Sequence, residues 1–342
     1  MTRDRAWSTL ALLAAAIAAL SLLAGCGERE EPSDGGKREQ FDLALDWFPN
    51  PDHAGIYQAL DRGYFAEAGL EVEPRIPSDP SAPIKQVAAG RVDLAISYEP
   101  EVLIARDEGL DVVAVGALAR EPLTSLVSLG KDAVRGGRQL DGKPVATAGI
   151  PYQAAFLRAI LERAGLKEDD VERVDVGLNL LPPLIAGRVD AALGLFWNIE
   201  GVELARRGDD PTVVPVDELG IPKYDELVLV ASGERVAEDP EAIRLFLAAL
   251  ERGTRDAAQD PGGATAALLR ANDDLDPGLT RAQVARTLPV LVPGKKQRTY
   301  GAMDPELWRD FAGFMVDEEL IGSLPATDDV LTNDLLPGEI PE

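Results

Sequence analysis

The chain alternates between two hydrophobic periodicities. Phe41, Leu43, Leu45 and Trp47 alternate with Asp42, Ala44 and Asp46, which is the period of a β-strand. Phe48-Pro49-Asn50-Pro51 then stops the run, because two prolines break a strand and define a loop. Asp52 is placed to cap a helix from Ala54 to Arg62 that stops at Gly63, and Leu70 to Ile76 alternates again. The opening unit is therefore strand–helix–strand. Further on, Leu140 to Ala148 reads as a turn and strand, and Tyr152 to Ala164 as a helix ended by Gly165. Leu123 to Leu129 and Leu227 to Ala231 are apolar runs without alternation. Helical spacing returns over 240–253, 263–271, 280–288 and 304–320.

One pentapeptide occurs twice. Ala-Gly-Arg-Val-Asp stands at 89–93 and again at 186–190, and the match extends to Ala95 and Ala192. In both places a helix-like run precedes the glycine and a β-rich run follows the aspartate, which reads as a glycine-stopped helix feeding a buried strand. Two such units predict two α/β lobes rather than one continuous sheet. The two unpatterned apolar runs are the places where the chain crosses out and back. Residues 41–128 with 232–342 form lobe 1 on this reading, and 129–231 form lobe 2.

The first 25 residues have a different character. Arg3 and Arg5 precede an apolar run from Leu10 to Leu20, followed by small residues. That is the layout of a secretory signal peptide, and the run falls short of the roughly 20 residues of a membrane span. Leu23-Ala24-Gly25-Cys26 resembles a bacterial lipobox, with Cys26, the chain's single cysteine, as the lipidated mature N-terminus. Residues 27–40 carry no aliphatic or aromatic side chain, so 26–40 reads as a flexible tether.

Composition excludes several chemistries. One cysteine rules out an intrachain disulfide or a CxxC site, and one histidine, His53, rules out any two-histidine metal site. A net charge of −25 argues against nucleic acid, whose phosphates would be repelled. No GxSxG, HExxH or P-loop motif is present. No cofactor is expected, and the protein is read as a monomer.

In open α/β sheets, ligands bind beyond the carboxyl ends of the strands. Four segments occupy such positions: 46–53, 97–101, 149–153 and 196–200. They supply Trp47, Tyr98, Tyr152 and Trp197 as flat faces, with Asn50, His53, Ser97, Asn198 and Glu200 as polar groups. Tyr57, one helical turn past His53, is expected to share its face. The four segments hold five carboxylates (Asp46, Asp52, Glu99, Glu101 and Glu200) and no lysine or arginine. Anion sites recruit arginine, lysine or bare helix N-termini, so a neutral or protonatable ligand is expected.

LDWFPNPDHAGIYQALDRGYFAEAGLEVE and the later AAGRVDLAIS resemble bacterial ABC-transporter solute-binding proteins related to the eukaryotic thiamin-pyrimidine synthase. The subgroup most similar is the formylaminopyrimidine/hydroxymethylpyrimidine-binding proteins. The tail, Trp308-Arg309-Asp310-Phe311 and Leu331 to Pro337, fits as well. The resemblance implies a two-lobed, type II periplasmic-binding-protein fold with the ligand between the lobes. It implies a pyrimidine stacked between aromatics such as Trp47 and Trp197, with Glu200 on its amino edge. It also implies an extracytoplasmic protein, anchored to the membrane by lipidated Cys26, that hands its cargo to a permease and its ATPase. Riboflavin or an alkanesulfonate is the alternative cargo. The synthase relatives carry a cysteine-rich signature and a cofactor-bearing lysine. Ser97 stands at about that lysine's position here, so the resemblance implies binding without catalysis.

Overall fold

The computed structural model describes residues 38–338 apart from Asp132 and 293–298. The expected signal peptide, Cys26 and most of the expected tether lie outside the described residues. Among the described residues, ten strands form two five-stranded sheets. They are β1 (Glu39–Ala44), β2 (Leu70–Arg75), β3 (Leu94–Ser97), β4 (Val112–Ala119), β5 (Thr124–Leu129), β6 (Pro144–Thr147), β7 (Glu172–Asp175), β8 (Ala191–Phe196), β9 (Pro211–Pro215) and β10 (Leu227–Ser232). β1 begins two residues before the expected start. Exposed Glu39 and Gln40 pair with Leu70 and Glu71, since an edge register needs backbone groups and no apolar side chains.

The first sheet has the order β2-β1-β3-β10-β4 and the second β7-β6-β8-β5-β9. In each, the strand that has just arrived from the other lobe, β10 or β5, runs against its two neighbours. The chain therefore crosses over residues 120–123 and returns over 216–226. Both apolar runs that suggested connectors are strands of the sheet they enter. They are buried on both faces, which removes the alternation that marks a strand. The lobe boundaries expected at 128/129 and 231/232 move earlier accordingly.

The repeated pentapeptide has the same structure twice. Gly90 and Gly187 adopt φ of 63° and 64° at the ends of the helices Ala82–Ala88 and Leu181–Ile185. Arg91 N–H reaches back to the Gln86 carbonyl at 3.0 Å, and Arg188 N–H to that of Pro183 at 2.9 Å, the long bond of a Schellman stop. Leu94 and Ala95 then pair with Leu43 and Ala44 of β1, while Ala191 and Ala192 pair with Val145 and Ala146 of β6.

The first sheet is covered by the long helix Pro240–Gln259, whose Phe246 stacks on Phe41 and Phe65 at centroid distances of 5.0 and 4.9 Å. The two crossings are joined by a buried carboxylate. Glu226 accepts hydrogen bonds from the Leu123 and Thr124 amides, the Thr124 hydroxyl and the Tyr224 hydroxyl, all at 2.8 Å. Among the described residues no helix is long and apolar enough to cross a membrane.

Candidate functional site

The loop after β1 is organised by its own polar side chains. Asn50, rather than Asp52, is the cap: its Oδ1 accepts from Asp52 N–H at 2.8 Å and opens a short 3-10 turn, Pro51–His53. The Asn50 N–H in turn donates to His53 Nδ1 at 3.3 Å. That leaves His53 Nε2 as the protonated nitrogen, and it donates to Asp46 Oδ1 at 2.8 Å. Tyr98, at the end of β3, donates its hydroxyl to Asp46 Oδ2 at 3.0 Å. Asp46 is thus held at both oxygens by groups from two strand ends.

Above Asp46 lies a cleft of about 240 Å³ between the two sheets. Its near side is Trp47, Phe48, Asn50 and Tyr98, and its far side includes Tyr152, Gln153, Phe196 and Glu200. The segment 178–182, Leu-Asn-Leu-Leu-Pro, closes one flank. Tyr98 and Tyr152 meet across the floor with ring centroids 5.6 Å apart. Tyr152 sits in the first turn of the helix Pro151–Arg163, whose N-cap Ile150 offers no side-chain acceptor. Glu200 opens the helix Glu200–Arg207, and its Oε2 accepts from Phe196 N–H at 2.8 Å. Burial pushes the Glu200 carboxyl up to about 7.

Trp47, Asn50, Tyr98, Tyr152 and Glu200 therefore line the cleft, and five other expected residues do not. His53 is fully buried beneath Asp46. Tyr57 packs with Ala54, Ala257, Ala264 and Leu268, and burial raises its hydroxyl to about 12. His53 belongs to a 3-10 turn, so the two residues lack the helical spacing that would align them. Ser97 donates to Glu101 Oε2 at 2.9 Å in the interior. Asn198 is fully buried, bonded to Asp52 and Thr287. Trp197 donates from Nε1 to the Pro122 carbonyl at 3.1 Å and lies in a separate groove, with the Arg286 guanidinium 4.9 Å from its ring.

A β-bulge lies just before this segment. β8 pairs Leu193 with Leu126 and Leu195 with Ser125, which leaves Gly194 unpaired at φ 116°. Beyond the bulge it is Phe196, not Trp197, that faces the cleft. Phe196 and Gln153 were missed although both lie in segments placed correctly at strand ends. Neither the parity shift of a bulge nor a helix-start glutamine leaves a mark in the local pattern. Glu203 and the 178–182 segment, apart from one asparagine apolar, were missed as well.

The cleft lining contains carboxylates from Asp46, Glu200 and Glu203, and no lysine or arginine. Asp52, Glu99 and Glu101 do not reach it. Glu99 instead accepts from Asp225 N–H at 2.6 Å, and Glu101 lies in a different cavity, where burial pushes it up to about 7. Such a site can stack a flat ring and accept hydrogen bonds from ring-edge donors.

Over residues 50–264 the chain matches the family described as NMT1/THI5 like. The chain belongs to this family. It is 32% identical over 299 residues to the formylaminopyrimidine-binding protein of Halalkalibacterium halodurans, covering 87% of this chain and 90% of that one. A putative thiamine biosynthesis protein of Haemophilus influenzae is 36% identical over 285 residues, covering 83% and 88%. The 4-amino-5-hydroxymethyl-2-methylpyrimidine phosphate synthase of Aspergillus parasiticus is 30% identical over 237 residues, covering 66% and 69%. Among solved structures, the alkanesulfonate-binding protein SsuA of Xanthomonas axonopodis superimposes with a TM-score of 0.68 at 16% identity, covering 86% of this chain and 99% of that one. The nitrate-binding protein NrtA of Synechocystis gives 0.66 at 14%, covering 87% of each. At such identities these structures establish the fold, which is the two-lobed periplasmic-binding-protein architecture.

Proposed function

We propose that the protein is an extracytoplasmic solute-binding lipoprotein of an ABC importer. Its cargo is a thiamin-precursor pyrimidine, formylaminopyrimidine or hydroxymethylpyrimidine, which it delivers to a permease without chemical change. A lipidated Cys26 anchors it to the membrane, and it works as a monomer. The observation that carries the reading is the cleft itself: aromatic faces from both lobes, three carboxylates and no cation in its lining. The pyrimidine ring packs against Trp47 and Phe196, with Tyr98 and Tyr152 beneath. Its exocyclic amine donates to Asp46 or Glu200, and Asn50 and Gln153 supply the neutral partners. The similarity to the formylaminopyrimidine-binding protein over most of both chains supports the same cargo. A sulfonate or nitrate cargo, as the names of the structural neighbours would suggest, lacks a counter-charge here.

A thermal-shift panel of thiamin precursors, riboflavin and alkanesulfonates tests this. A ligand that binds only the native state stabilises it by about 2.7 kcal/mol at a hundredfold excess over its Kd. An aminopyrimidine should raise the melting temperature while riboflavin and sulfonates leave it unchanged. Stabilisation by a sulfonate or riboflavin alone would overturn the assignment.

A further inference from the structure

Two hydrogen-bonded side chains, Asp52 and Asn198, each keep one buried oxygen that no donor reaches. Asn198 uses both amide hydrogens, donating from Nδ2 to Asp52 Oδ1 at 2.7 Å and to Thr287 Oγ1 at 2.8 Å. Asp52 is 3% exposed and Asn198 fully buried. The remaining oxygens, Asp52 Oδ2 and Asn198 Oδ1, are buried with no hydrogen-bond partner. An ionised carboxylate and an amide oxygen are both acceptors only, so this arrangement would leave two unmet acceptors in the interior. One proton removes the conflict. A hydrogen on Oδ2 makes the carboxyl a donor as well as an acceptor, which is the chemical complement of the Asn198 amide.

We propose that Asp52 is held as the neutral acid in a doubly hydrogen-bonded pair with Asn198, and that this pair is the latch setting the spacing of the two cleft walls. The charges around it favour the neutral form. Asp46 on its own loop, Glu200 on the helix Glu200–Arg207 and Glu226 at the crossing all present negative charge to it. His53, next in the chain, spends its Nε2 proton on Asp46. Arg286, on the helix Pro277–Leu291 that carries Thr287, lies over the Trp197 ring. No ion pair to Asp52 exists among the described residues. Burial, the largest influence, holds its carboxyl well above the usual range.

The position of the pair gives it its role. Asp52 lies two residues past Asn50 on the near wall, and Asn198 two residues before Glu200 on the far wall. The same helix adds a second tie, Gln283 Nε2 to the Ile199 carbonyl at 3.0 Å. Asp52 and Asn198 are thus positioning residues that touch no ligand, and the inference stands whatever the cargo proves to be.

Three readouts on the full chain test it. Because the folded pKa of Asp52 is raised, its contribution to stability is present at low pH and is lost as pH rises through the folded value. From the ordinary aspartate value of 3.8 upward, until the raised folded value is reached, the unfolding constant of wild type relative to Asp52→Asn should rise up to tenfold per pH unit. Asp52→Asn keeps an amide–amide pair without a titrating proton, so parallel pH curves would overturn the proposal. The infrared spectrum should contain one carboxylic-acid carbonyl band that Asp52→Asn removes, and no difference at that band would also overturn it. Amide exchange at Trp197–Gly201 should be at least tenfold faster in Asp52→Ala than in Asp52→Asn. Equal protection in the two variants would exclude a latch.

Discussion

Gly194→Ala tests how the second lobe aims its side chains into the cleft. Gly194 has φ 116°, a region L-residues enter at a cost of about 1–3 kcal/mol. A Cβ there would stand 2.6 Å from Gln153 Nε2 and 3.1 Å from Gln153 Cδ. Gln153 is 3% exposed, and its Oε1 accepts from Ala148 N–H at 2.8 Å. Moving it orphans a buried amide, at about 1–3 kcal/mol. The smaller entropy of the unfolded alanine chain returns about 0.4–1 kcal/mol. The net loss is about 1–5.6 kcal/mol. Gly187→Ala is the control, because Gly187 has φ 64° and nothing within 4 Å of a built Cβ. It should cost only the left-handed backbone penalty, about 1 kcal/mol. Urea denaturation of both variants, with Gly194→Ala repeated in a Gln153→Ala background, separates strain from collision. The reasoning fails if Gly194→Ala costs no more than Gly187→Ala, or if removing the Gln153 side chain leaves its cost unchanged.

Three further outcomes are expected. Glu226→Ala orphans the buried Leu123 and Thr124 amides and should lower stability by about 3 kcal/mol in urea denaturation; a change below about 0.5 kcal/mol would show that the carboxylate does not staple the crossings. Glu200 has a folded pKa of about 7 against 4.5 unfolded, so its contribution is present below 4.5 and lost as pH rises through 7. Glu200→Gln should therefore gain stability relative to wild type across that window, and an equal pH dependence of the two would contradict the burial of its carboxyl. Trp47→Ala should weaken aminopyrimidine binding at least tenfold in calorimetry while Trp197→Ala changes it less than twofold, because only the first lines the cleft; the reverse order would return the ring to Trp197.

The architecture was legible where local chemistry dictates local structure. The duplicated Ala-Gly-Arg-Val-Asp predicted two like units because a left-handed glycine and a buried strand start are encoded within a few residues. The crossings were harder to delimit, since β5 and β10 owe their strand form to neighbours far along the chain. The four strand-end segments were placed from sequence, and each contributes at least one residue to the cleft. Within those segments, facing was not readable. Trp197 and Asn198 look like ligand residues by type, but the unpaired Gly194 shifts the parity and turns Phe196 inward. Asp52, His53 and Ser97 are polar groups whose partners are other protein groups, and a sequence does not show which acceptor a buried donor will find.

Isothermal titration of the purified protein with an unphosphorylated aminopyrimidine, its phosphate ester and an alkanesulfonate tests the central claim most directly. The aminopyrimidine should bind at least tenfold more tightly than either anion, a gap of about 1.4 kcal/mol or more. Equal or tighter binding of the phosphate ester or the sulfonate would contradict the account of an acidic, cation-free cleft.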